Sequence, residues 1–260
     1  MSGHVDLSRE GFVARLTLDS PGKYNAVSQS MWIQIGDIVE ELSTDDRIRC
    51  IVFSGASDKA FSSGGDIDEF ESIRGTKEKA EAYGRHCHRA MRLVQHSPIP
   101  TLAAIRGICM GGGLELAAHC DLRVASDNSR FAIPIARLGA VLAYPEMEGL
   151  VRLVGGPTAL ELLLESRTFY AQEAREKGLV QRVVAADEFN DEIEKTIERI
   201  VENAPLSART HKRFIERLRA KHEPLNTDEL AEGYACFDTE DYKTGYRSFL
   251  AKSRPVFQGK

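Results

Sequence analysis

Twice in its first half the chain runs from a short apolar stretch into glycines and then into a helical pattern, at Cys50 to Phe70 and at Leu102 to His119. A short apolar run bounded by turn residues reads as a strand buried on both faces, and a helix directly after it makes the βα unit of a parallel sheet. Neighbouring segments continue the alternation. Leu16 and Leu18 alternate with Thr17 and Asp19, a half-buried strand closed by Pro21-Gly22. Met31, Ile35, Ile38, Val39 and Leu42 fall at helical spacing behind a cap at Ser28 or Ser30. A charged helical region spans Asp68 to His96, where Pro98 and Pro100 stop it, and Leu122 to Ala125 forms a further strand. The fold class is therefore α/β.

From Asp187 onward glycine thins out and helical periodicity dominates, over Phe189 to Val201, Leu206 to Leu218, Leu230 to Phe237 and Tyr242 to Leu250. Residues 1–200 read as the α/β core and 201–260 as a helical region, serving as a lid or an oligomerisation element.

Charge narrows the partners. The 34 basic residues against 39 acidic ones leave 34 − 39 = −5, which gives no general attraction to phosphate backbones or anionic membranes. Neither nucleic acid nor membrane is expected as a partner. The most apolar stretch, Thr101 to Cys120, carries Arg106 and Glu115 and is broken by glycines, so it is no membrane span. The five cysteines are scattered without a Cys-x-x-Cys pair, and Met1 to Asp6 has no apolar leader segment. Reduced thiols and a cytoplasmic location are the expectation.

The two glycine-rich segments are where chemistry could sit: Phe61-Ser62-Ser63-Gly64-Gly65-Asp66-Ile67 and Gly107-Ile108-Cys109-Met110-Gly111-Gly112-Gly113-Leu114-Glu115-Leu116. One reading is steric, tight turns packed only against protein. The other is that bare backbone N–H groups face an anion, helped by the positive end of a helix that starts near Gly112. Neither segment is a phosphate loop, and there is no Gly-x-Ser-x-Gly elbow. Glu115, one turn along that helix, is flanked by Leu114, Leu116, Ala117 and Ala118; a carboxyl in such a wall has a raised pKa and suits proton transfer. The His86-Cys87-His88 cluster has no His-Glu-x-x-His-type partner, so it reads as a surface or packing group and no metal site is expected.

Taken together, these segments resemble the enoyl-CoA hydratase/isomerase (crotonase) superfamily. Phe61 to Asp66 matches its Phe-x-Ala-Gly-Ala-Asp with Ser63 and Gly65 in the alanine places, and Gly107 to Leu116 matches Gly-x-x-x-Gly-Gly-Gly-x-Glu-Leu throughout. Cys120-Asp121, Pro21 to Ala26, Leu153-Val154-Gly155, Ala171 to Ala174 with Gly178-Leu179-Val180, and Gly245 to Phe257 extend the likeness over essentially the whole chain. The resemblance implies a spiral of ββα units closed by C-terminal helices that build homotrimers or homohexamers. It implies an acyl-CoA thioester as substrate and no separate cofactor, since coenzyme A belongs to the substrate. By position, the thioester oxygen would be held by the N–H groups of Gly65 and Gly112, with Glu115 moving the proton. Coenzyme A would run along Asn25, Ala26, Val27, Ser63, Asp66 and Ile67, with Lys23 and Lys59 as phosphate partners or simply solvated lysines. Phe257 and Lys260 would form the tail that meets a neighbouring subunit's coenzyme A.

In one respect the sequence departs from the hydratase pattern. Hydratases carry a second glutamate in Phe-x-x-Pro-Glu, and this chain reads Phe131-Ala132-Ile133-Pro134-Ile135. In the loop that follows, Glu146, Glu148 or Tyr144 stands in for it, or these are ordinary loop groups. The resemblance leaves three readings: a hydratase or isomerase, an acyl-CoA hydrolase or decarboxylase, and a non-catalytic relative, against which Glu115 speaks.

Overall fold

The computed structural model describes residues 3–220, 226–228 and 235–260. In chain order the strands and helices are β1 (His4–Glu10), β2 (Val13–Asp19), α1 (Gln29–Leu42), β3 (Cys50–Gly55), β4 (Ala60–Ser62), α2 (Phe70–Arg74), α3 (Lys77–His96), β5 (Thr101–Ile105), β6 (Ile108–Met110) and α4 (Gly112–His119). There follow β7 (Leu122–Ser126), β8 (Arg130–Ala132), α5 (Tyr144–Glu165), β9 (Phe169–Tyr170), α6 (Ala171–Glu176), β10 (Arg182–Val184), α7 (Phe189–Val201), α8 (Pro205–Ala220) and α9 (Glu240–Leu250).

Two sheets share the chain. One has the order β1-β2-β3-β5-β7-β10 and is parallel after the β1–β2 hairpin; the other has the order β4-β6-β8-β9 and is parallel except at β9. Three times the chain passes from the large sheet to the small one and then into a helix: β3-β4-α2, β5-β6-α4 and β7-β8 before α5. That is the spiral of ββα units.

Side-chain alternation along β3 explains how both faces are filled. Ile51 and Phe53 point into the core that lies between the sheet, α1, α3 and the small sheet, where Trp32, Phe61 and Phe131 are fully buried. Cys50 and Val52 point the other way, against Phe189, Ile193 and Ile197 of α7. Ser28 caps α1, its hydroxyl accepting from Met31 N at 3.3 Å. Among the described residues no helix is long and apolar enough to cross a membrane.

Some expectations change. The strand β1, for which the sequence carries no expectation, is the antiparallel hairpin partner of β2. The helix expected over Asp68 to His96 is a 3-10 turn, Ile67–Glu69, followed by α2 and α3, because Thr76 caps a new helix through Lys79 N at 3.3 Å. The segment from Tyr144, read as loop, is the start of α5, which breaks at Gly155 (φ 73°) just before Pro157. Of the helix expected over Leu230 to Phe237, residues 230–234 lie outside the described residues, and Ala235–Asp238 is a 3-10 turn.

Phe53→Ala removes a fully buried ring from the centre of the sheet. A loss of about 3–5 kcal/mol is expected in urea unfolding, with the slope unchanged.

Candidate active site

The parallel pairing of β4 with β6 sets the two glycine-rich turns side by side. Gly64 (φ 105°) and Gly111 (φ 46°) take backbone conformations that L side chains avoid. A Cβ on Gly64 would stand 3.0 Å from Met110 O and 3.3 Å from Gly112 N, so here backbone touches backbone. A Cβ on Gly112 would stand 3.6 Å from Gly65 N. Gly65 forms a bridge with Val27, but its hydrogen bonds use the flanking groups, Val27 N to Gly64 O at 2.7 Å and Asp66 N to Val27 O at 3.1 Å. The N–H of Gly65 is outside that bridge. Gly112 opens α4, where helix geometry gives the N–H no intrahelical acceptor.

Both glycines line a cavity of about 290 Å³ together with Glu115, Glu146, Ile135 and Arg74. Glu115 is 6% exposed. Burial first, and the charge of Glu146 second, push its carboxyl up to about 8, against a smaller opposing pull from Arg74. Glu146 behaves oppositely. Burial alone would raise it, yet the His88 ring and the Ala143 N–H together outweigh burial and hold it below the ordinary carboxylate range. Ala143 N donates to Glu146 Oε2 at 2.6 Å, and His88 Nε2 lies 3.3 Å from Oε1, at ion-pair distance but off hydrogen-bond alignment. The cavity thus holds one neutral and one ionised carboxyl near neutral pH. Tyr83 forms part of its wall, its hydroxyl accepting from Trp32 Nε1 at 2.9 Å.

The other expected residues divide. Glu148 is on the exposed side of α5, 3.6 Å from Arg152, and Tyr144 is 91% exposed; neither lines the cavity. Ser63 and Ile67 do line it. Asn25 (φ 57°) ties its turn to β4, Nδ2 donating to Ala60 O at 2.8 Å, and Ala26 and Val27 beside it are buried. Lys23 is engaged by Asp66 at 2.7 Å and Asp68 at 2.8 Å, which raises its pKa, while Lys59 is exposed. Phe257 and Lys260 are held within the chain: Arg49 Nη2 donates to Phe257 O at 2.8 Å and Asp241 N to Lys260 O at 3.0 Å.

The histidine and cysteine cluster is not merely surface or packing. Cys87 is buried in the cavity wall, and its thiol, with His88 and Glu146, brings three donor atoms within 4.8 Å of one another. These three could hold a metal ion only with a thiolate, which burial and the carboxylates Glu146 and Glu115 disfavour by pushing the Cys87 thiol up. Sequence alone could not pair His88 with Glu146, which stands on another helix far along the chain. The resemblance does imply that variable loops such as 69–83 line the acyl pocket, and Arg74 and Tyr83 of that stretch line the cavity.

Known proteins are similar to this chain over nearly its whole length. Residues 8–260 match the family model described as enoyl-CoA hydratase/isomerase. The chain is 30% identical to a short-chain-enoyl-CoA hydratase of Clostridium acetobutylicum, covering 96% of each chain. It is 31% identical to a crotonyl-CoA hydratase of Syntrophomonas wolfei, covering 99% of this chain and 98% of that one. The crystal structure of an enoyl-CoA hydratase/carnithine racemase from Magnetospirillum magneticum superposes with a TM-score of 0.96 at 42% identity, over 98% of this chain and 96% of that one.

Because the charge of Glu146 helps to raise Glu115, Glu146→Gln is expected to lower the Glu115 pKa from about 8. Infrared titration of the protonated carboxyl band checks this; an unmoved midpoint would mean that burial alone sets it.

Proposed function

The chain belongs to the enoyl-CoA hydratase/isomerase family, and from that footing we propose that it adds water across the double bond of a 2-enoyl-CoA. The thioester oxygen accepts from Gly65 N–H and Gly112 N–H, where preorganised amides stabilise an enolate without reorganising. Ionised Glu146 takes one proton from a water as its oxygen attacks Cβ. Protonated Glu115 delivers a proton to Cα as the enolate collapses. The pair then exchanges one proton, from Glu146 to Glu115, and the site is reset. Coenzyme A enters as part of the substrate along Ser63 and Ile67, with Lys59 near its phosphates, and the scheme draws on no separate cofactor.

The observation that carries this reading is the pairing of a neutral Glu115 with an ionised Glu146 in one cavity. Environments that push two carboxyls apart in pKa assign the acid and the base. The second carboxyl that Ile135 cannot supply is thereby provided from α5. Losing either backbone donor would cost about 2.7–4 kcal/mol of transition-state stabilisation.

Two outcomes are expected. Glu115→Gln lowers kcat by roughly 10²–10⁴-fold while crotonyl-CoA still binds. In the wild type kcat/KM falls as pH rises through about 8, where Glu115 loses its proton, and falls again at low pH as Glu146 gains one. Mass spectrometry of crotonyl-CoA in deuterated water tests the reaction class directly. Gain of one water supports hydration; deuterium uptake alone would point to isomerisation, and free coenzyme A to hydrolysis.

A further inference from the structure

Most of the cavity wall is apolar or aromatic, including Trp32, Phe70, Met91, Leu138 and Leu142. One cation stands in it. Arg74, the last residue of α2, has its guanidinium carbon 4.7 Å from the Phe70 ring centroid and 5.1 Å from that of Tyr83. The two rings fix the flat face of the group and leave its N–H edge, five donors in a planar fork, for something else. Among the described residues no carboxylate or carbonyl lies in hydrogen-bond or ion-pair reach of it. Glu146 draws its stabilisation chiefly from His88 and Ala143, and Glu115 is protonated near neutral pH, so Arg74 influences both from a distance and contacts neither. Arg74 is half-buried, so its N–H edge is open to a ligand that enters the cavity.

Its position fits such a ligand. A Cβ on Gly65 would stand 3.2 Å from Phe70 Cε1 and 3.6 Å from Tyr83 Oη, so the rings that hold the guanidinium border the backbone donor of Gly65 directly. The Gly65 donor and Arg74 open into one cavity, the one that an acyl chain held at that donor would enter. A planar guanidinium matches a carboxylate edge to edge through two parallel hydrogen bonds.

We propose that Arg74 binds a carboxylate at the far end of the acyl chain, so that the favoured substrate is the coenzyme A thioester of a short dicarboxylic acid. This rests on reading the cavity as a thioester site.

The test separates binding from turnover. Calorimetry compares glutaryl-CoA, which has no double bond to hydrate, with its terminal amide, which is the same size and neutral. Wild type is expected to bind the carboxylate at least ten-fold more tightly, and Arg74→Leu to bring that ratio near one. Arg74→Lys, which keeps the charge and loses the fork, is expected to retain part of it and guards against simple misfolding. Equal affinities in wild type, or the same ratio in Arg74→Leu, would overturn the assignment. Turnover of glutaconyl-CoA and crotonyl-CoA is measured alongside. A carboxylate preference in binding with neither thioester processed would sink hydration and leave Arg74 standing; turnover of crotonyl-CoA with no carboxylate preference would sink Arg74 alone.

Discussion

The turn at Gly64 meets the turn at Gly111 so closely that a Cβ on Gly64 would stand 3.0 Å from Met110 O, and the placement of the site follows from this contact. A spiral of ββα units puts strand after strand of the small sheet in parallel register, so that the turns after β4 and β6 end at the same level. With glycine at these positions the two backbones close to van der Waals distance. Peptide N–H groups at 65 and 112 are then carried on elements anchored by the Val27 bridge on one side and by α4 on the other. Groups fixed in this way need not reorganise when charge develops beside them, which is the condition for strong electrostatic stabilisation.

Burial then assigns protonation. The same apolar packing that makes α4 a core helix places Glu115 where its anion is poorly solvated, so its proton is retained. Glu146 is buried as well, but the Ala143 N–H and His88 compensate, and it ionises. Gly84 belongs to this arrangement: a Cβ there would stand 3.1 Å from His88 Cε1, so an interior helix glycine, otherwise unfavourable, lets the imidazole lie against its own helix and reach Glu146.

The sequence made some of this legible. Gly111 to Glu115 stands out because consecutive glycines weaken a helix and an apolar run solvates a carboxylate poorly, so packing alone would favour neither. Ile135 plainly cannot act as an acid. Strands β3, β5 and β7 were readable from apolar runs, since strands buried on both faces admit little else. What depends on tertiary proximity was not. Glu146 could be named only among three alternatives, and which of them faces inward was decided by the start of α5, a boundary with no side-chain cap of the Ser or Thr type to mark it. His88 looked idle because its partner is remote in sequence. Lys23 looked available for phosphate because its two aspartates, Asp66 and Asp68, lie across a turn that only the fold closes.

A crystal structure with a thioester bound tests the central claim most directly. The account predicts the thioester oxygen at about 2.7–3.1 Å from both Gly65 N and Gly112 N, with Glu115 and Glu146 on the two sides of the reacting carbons. A thioester oxygen that meets neither amide, or an acyl chain seated outside this cavity, would contradict it.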